Sequence, residues 1–169
     1  MSCGIAPVRR LFLPLLYFIF LISGCAVNQP GRTPDGTDSM RWSGRLSLVV
    51  SSSPAQSLSA GFELAGGPVS GTLVLSGPLG SRVATVRWGP EAAFLTSQGE
   101  TRRFKTLDEL TAELTGAALP INAVFEWLQG RAVPADHWEV DLSRLNDGRL
   151  TARRLQIEPK AELRLILEP

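Results

Sequence analysis

The sequence predicts a mainly β domain with a short helical insertion: an incomplete antiparallel β-barrel, built as a meander and covered by α-helices. Three observations point there. Apolar and polar residues alternate with period two through much of residues 41–104, the signature of half-buried strands. The period becomes helical between Thr106 and Gly130. Alternation then returns from Trp138 onward.

The N-terminus stands apart from this pattern. Arg9 and Arg10 precede a run rich in Leu, Phe and Ile from Leu11 to Ile22, interrupted by Pro14. The run is shorter than the roughly 20 apolar residues a spanning helix needs. It reads as a processed targeting segment, residues 1–24. Ile22-Ser23-Gly24-Cys25 resembles the lipobox of bacterial lipoproteins. That resemblance implies lipidation of Cys25 and cleavage before it, and Ala26 in place of Asp implies outer-membrane sorting. Residues 26–40, AVNQPGRTPDGTDSM, are rich in Pro, Gly, Asp and Thr. They read as a tether following the lipidated Cys. The expected organisation is a signal peptide at 1–24, lipidated Cys and tether at 25–40, and one domain at 41–169.

The domain begins with RWSGRLSLVV, where Trp42, Leu46, Leu48 and Val50 share one parity. In LSAGFEL, Leu58, Ala60, Phe62 and Leu64 do the same, and VSGTLVLS aligns Val69, Gly71, Leu73 and Leu75. SRVATVRW, AAFLTS and TRRF follow, separated by short Gly-, Pro- and Ser-rich turns. Consecutive strands with short connections predict a meander. In TLDELTAEL, Leu107, Leu110 and Leu114 have helical spacing, Thr106 and Glu109 form a capping box, and Gly116 stops the helix. In PINAVFEWLQG, Pro120 suits a first turn. Ile121, Val124, Phe125 and Leu128 then form one stripe, ended by Gly130. HWEVDL, RLTARRLQIE and ELRLILE return to strand pattern. The volume beneath the helices is either filled by side chains or left as an apolar cavity.

The chain has 17 Lys+Arg, 16 Asp+Glu and one His. The leader holds two arginines and no acid, so the remainder is near neutral. That argues against nucleic acid, and against a membrane grip based on charge. Cys3 and Cys25 are the two cysteines, one in the leader and one at the lipobox, so no disulfide is expected. His137 beside Asp136, with no Gly-x-Ser-x-Gly elbow, is a surface histidine rather than a catalytic base. One His without a free Cys argues against a zinc site, and no cofactor motif occurs. Asp108, Glu109 and Glu113 fit a solvated helix face. The doublets in TRRF and ARRLQ fit solvent-facing strands. The expectation is a protein that is not an enzyme.

One loop stands out. In LSGPLGSRV, Pro78 and Gly80 make a turn with Leu79 at its tip, where a polar residue is usual.

GRLSL, SGPLGSRVA and LTGAALPINAVFEWLQG, together with the lipobox, resemble the outer-membrane lipoprotein receptor LolB family, over roughly residues 41–131. The matching motifs are Pro78-Leu79-Gly80, Leu114-Thr115-Gly116, Leu119-Pro120 and Trp127-Leu128-Gln129-Gly130. The chain departs from the family at Phe62-Glu63-Leu64, where Phe-x-Trp is usual. It departs again in a shorter C-terminal third, where His137-Trp138-Glu139-Val140 stands in for a Gly-Trp strand. The resemblance implies an apolar cavity lined by Leu46, Leu48, Phe62, Leu64, Leu73, Leu75, Phe94, Val124, Phe125 and Leu128. Trp42 and Trp127 would serve as packing anchors, and the Pro78, Leu79, Gly80 loop would insert into the membrane. It further implies a lipid-anchored monomer on the periplasmic face of the outer membrane. Such a protein takes acylated lipoproteins from the carrier LolA and inserts them into that membrane. The alternative is a structural or assembly lipoprotein that acts through a protein surface.

Overall fold

The computed structural model describes residues 40–116 and 118–169. Cys25, the leader at 1–24 and the tether as far as residue 39 lie outside the described residues. Six strands come first: β1 (Arg41–Val50), β2 (Gln56–Gly66), β3 (Gly71–Ser76), β4 (Arg82–Trp88), β5 (Ala93–Ser97) and β6 (Glu100–Phe104). Two helices follow, α1 (Leu107–Thr115) and α2 (Ile121–Leu128). The last strands are β7 (Trp138–Asp141), β8 (Arg149–Arg154) and β9 (Ala161–Leu167).

All nine strands form one antiparallel sheet in the order β6-β5-β4-β3-β2-β1-β9-β8-β7. The first six make the expected meander. The last three make a second one, joined to the first through β9 and β1. β6 and β7 are left as edges, so the barrel stays incomplete. The helical segment is the chain that runs between these two edges. Edge strands invite pairing with other chains unless they are covered, and a helical connection of this kind is one way to manage them.

Register follows the apolar parity. Leu64 pairs with Trp42 and Leu73, Leu73 with Val86, and Val86 with Leu95. Leu48 pairs with Leu58 and Leu163. A slip of one residue would turn each of these side chains out of the core. Two residues assigned to apolar strand faces are exposed. Val69 falls in the turn before β3 and is exposed. Leu58 is exposed although it lies on the inward parity, because β2 runs on beyond the end of β3.

α1 starts at Thr106, whose hydroxyl accepts from the Glu109 N–H at 3.1 Å. The expected capping box is only half reciprocal. The Glu109 carboxylate accepts from the Lys105 N–H at 2.8 Å, one residue before the cap. Gly116, at φ 70°, closes the helix. Pro120 is the N-cap residue of α2 rather than part of its first turn. α2 is more deeply buried than one stripe requires: Ala123, Val124, Phe125, Trp127 and Leu128 are all buried. Trp127 is completely enclosed, and its indole N–H donates to the Val133 carbonyl at 3.0 Å. A buried indole needs such a partner.

The core lies between the inner face of the sheet and the two helices, with Phe62, Val86, Leu110, Phe125, Leu150 and Leu163 among its members. Phe125 is the keystone of this contact. Its ring meets Trp42 edge-on, with centroids 5.7 Å apart, and tilts against Trp88 at 6.2 Å. Aromatic pairs in such arrangements add about 0.5–1.5 kcal/mol beyond area burial. The doublet in ARRLQ is not wholly solvent-facing. Arg153 is exposed, but Arg154 is buried. Its guanidinium donates twice to the Pro159 carbonyl, at 3.1 and 2.6 Å. The alternation of β8 places Arg154 on the core side, so its charge depends on those bonds.

Candidate functional site

Between the inner face of the sheet and the helices lies an apolar cavity of about 110 Å³. Leu46, Phe62, Leu64 and Leu73 supply its sheet wall, with Val86, Trp88, Leu163 and Leu165. Leu107, Leu110, Thr111, Leu119, Ile121, Val124 and Phe125 supply its cover. Thr111 carries the one hydroxyl in this lining, and it is hydrogen-bonded both as donor and as acceptor. It donates to the Asp108 carbonyl at 3.1 Å and accepts from the Leu119 N–H at 3.2 Å. That second bond ties α1 to the segment leading into α2. A space of this size and lining stays dry, since water needs two to four polar partners.

A second, more open apolar groove of about 340 Å³ adjoins it. Leu48, Val50, Leu58, Leu75, Ala84, Leu95 and Leu114 line it, with Gln56, Ser57, Ser97 and Thr115 among the polar residues. Val86 lines both spaces. Leu58 and Leu114, both in this lining, are exposed.

The expected cavity residues therefore divide. Leu46, Phe62, Leu64, Leu73, Val124 and Phe125 border the enclosed cavity. Leu48 and Leu75 border the open groove. Leu128 is buried in the core and borders neither. Phe94 is a correction. It pairs with Arg87 and Arg103 on the outer face and is 39% exposed, while Ala93 and Leu95 point inward. A five-residue strand with apolar residues at consecutive positions does not declare its parity, and the pairing of β5 with β4 and β6 sets it. Val86, Leu110, Leu163 and Leu165 were not singled out for the cavity. Their parity or helical spacing was legible, but which of them meet an empty space was not.

Trp88 shapes one end of the cavity through a glycine. A Cβ on Gly71 would lie 2.4 Å from the Trp88 ring, so only glycine lets the indole lie over β3. The indole N–H is then held by the Gly67 carbonyl at 3.0 Å.

The loop between β3 and β4 is a built turn. The Gly80 N–H donates to the Gly77 carbonyl at 2.9 Å, and the Gly77 N–H to the Ser81 carbonyl at 2.9 Å. Pro78 fixes its own φ, and Gly80 takes φ 76°, a conformation costly for other residues. The result holds Leu79 96% exposed.

Charge on the cover is one-sided. α1 carries Asp108, Glu109 and Glu113, α2 carries Glu126, and neither helix contains a basic residue. Glu113 pairs with Arg102 of β6, and Glu126 with Arg131 just beyond α2. The hydrogen bond from Arg131 holds the Glu126 carboxyl below its ordinary range. His137 is exposed, in a turn at φ 62°. Among the described residues no helix is long and apolar enough to cross a membrane.

A family model described as "Outer membrane lipoprotein LolB" matches residues 38–158. The Outer-membrane lipoprotein LolB of Bordetella petrii is 30% identical over 149 residues, covering 75% of this chain and 75% of that protein. The same-named protein of Dechloromonas aromatica is 33% identical over 129 residues, covering 73% and 67%. That of Pectobacterium atrosepticum is 29% identical over 136 residues, covering 72% and 65%. A small open barrel with an apolar interior, an acidic two-helix cover and a hydrogen-bonded turn displaying one leucine thus comes with similarity over most of the sequence, and the chain belongs to the LolB family of outer membrane lipoproteins.

Proposed function

We propose that this protein receives the acyl chains of lipoproteins from a LolA-type periplasmic carrier and delivers them to the outer membrane, without covalent chemistry. The observation that carries this reading is the dry cavity beneath α1 and α2, joined at Val86 to an open apolar groove. Exposing a methylene to water costs about 0.8 kcal/mol, so a chain of about 15 carbons costs roughly 12 kcal/mol to pass naked between membranes. A handover from one apolar lining to another avoids that cost.

The enclosed cavity, about 110 Å³, is smaller than the ~300–1,000 Å³ of ordinary ligand sites. Loading therefore starts in the groove and continues as the helices move off the sheet. Phe125, wedged between Trp42 and Trp88, is the contact that gives way. The Pro78-Leu79-Gly80 turn enters the headgroup region during release. Residues 1–24 are removed, Cys25 is acylated, and residues 26–40 let the body stand off from its anchor.

The test uses the protein with Cys25 replaced and a fluorescent fatty acid. Saturable binding near one per chain, and uptake of acylated lipoprotein from the carrier, are the expected results. Absence of both would refute the reading. The small enclosed volume favours a second reading, a structural or assembly lipoprotein acting through its surface. That reading requires that no acyl chain binds.

A further inference from the structure

Near-neutral composition conceals a segregated surface. Following the strand pairings across the outer face, Arg41, Ala65, Thr72, Arg87, Phe94 and Arg103 form one row over six strands. Arg149, Ile166, Arg45, Gly61, Ser76 and Arg82 form a second. The rows lie four residues apart along β1, about 13 Å. Neither contains an acid. Among the described residues none of these six arginines has a carboxylate at ion-pair distance; the ion pairs present involve Arg102, Arg131, Arg144, Arg153, Lys160 and Arg164. Between the rows runs Ser43, Glu63, Val74, Thr85, Thr96 and Thr101, with one acid. The two helices on the other side of the sheet bear acids and no bases.

We propose that the outer face of the sheet is a docking surface for a bilayer carrying anionic lipid. Guanidinium groups recognise phosphate through planar paired donors. Each one near an anionic surface contributes about 1 kcal/mol, within a Debye length. A curved face can therefore be drawn in without lying flat. Each row also exposes one large apolar side chain, Phe94 or Ile166. Two further features choose lipid over an acidic protein. Leu79 lies three residues before Arg82, at the end of the second row. Gly80 of that turn borders the same groove as Arg41, which Glu63 and Glu168 also line. A projecting leucine among arginines suits a headgroup boundary, with phosphate above and hydrocarbon below.

The test is vesicle flotation with residues 38–169, which form a compact unit with its own core. Vesicles of phosphatidylethanolamine with phosphatidylglycerol are compared with phosphatidylcholine alone. Binding to the anionic vesicles that weakens steeply with salt is expected. Arg45→Gln, Arg82→Gln and Arg149→Gln together should lower it at least about tenfold. The same three positions changed to Lys should keep most of it. Arg131→Gln with Arg144→Gln, off the two rows, should change little. Thermal melts of each variant separate lost binding from lost folding. Equal binding to both vesicle types, or an unchanged triple Gln variant, overturns the proposal. Salt-sensitive binding to polyglutamate but not to vesicles overturns it in favour of an acidic protein partner. No cargo takes part, so the outcome is independent of acyl-chain transfer.

Discussion

Leu79 and Gly71 show how much single positions decide. Leu79 touches nothing that its removal would disturb, so Leu79→Glu should leave stability within about 0.5 kcal/mol. Under the proposed function the same change should spare acceptance of acylated cargo and block its insertion into vesicles. A transfer assay that reads both steps checks this, and unimpaired insertion would remove the loop from the mechanism. Gly71→Ala should act in the opposite sense. Its methyl would meet the Trp88 ring at 2.4 Å, and overpacking of that kind costs about 1–3 kcal/mol. Urea denaturation should show the loss. The prominence of Leu79 was legible in the sequence, because a Pro-Leu-Gly tip between two strands is odd in itself. The role of Gly71 was not, since it depends on where Trp88, on the next strand, lays its ring.

At the scale of elements, α1 depends on its cap. Thr106→Ala removes the acceptor for the Glu109 N–H and should cost about 1 kcal/mol. On the far side of the sheet, Arg153 of β8 pairs with Glu162 of β9 at 2.6 Å. That hydrogen bond chiefly, with lesser help from Arg164, holds the Glu162 carboxyl below its ordinary value of 4.5. A carboxyl whose value is lowered by folding stabilises the fold above about pH 4.5. The contribution is lost as pH falls through the folded-state value. Thermal melts should therefore drop below about pH 4.5, with a shallower drop in Arg153→Gln. Both groups are partly exposed, so the effect is a fraction of a kcal/mol. An identical pH slope in the variant would show that other carboxylates dominate. Strand and helix positions in this chain were legible because period two and period 3.6 are local signals. The half-reciprocal cap was not, because Glu109 reaching Lys105 rather than Thr106 depends on side-chain torsions.

For the whole molecule, the decisive feature is the junction of cavity and groove at Val86. Val86→Phe should fill that junction at a cost of about 1–3 kcal/mol in stability. Under the proposed function it should weaken acyl-chain binding about tenfold, equivalent to about 1.4 kcal/mol. Titration of a fluorescent fatty acid into the folded variant measures this, and unchanged affinity would mean that chains do not pass Val86. Whole-molecule features were the least legible. Net charge near zero argued against an electrostatic surface, yet the strand pairing assembles two arginine rows from β1, β4, β6 and β8 and from their partners' gaps. Composition is a sum, and a sum carries no information about which face each charge occupies.

The sequence by itself determined the element types, the meander, the placement of the helices between two runs of strands, and the exposed leucine turn. Those follow from periodicity, caps and turn chemistry within a few residues. Only the tertiary structure decided that β9 pairs with β1, and that the interior keeps an apolar cavity beside an open groove. It alone decided that Phe94 faces outward, that Arg154 is buried, and that six arginines line up on one face. Each of these depends on which distant strands become neighbours, and hydrogen-bonded register brings together residues that local pattern keeps far apart.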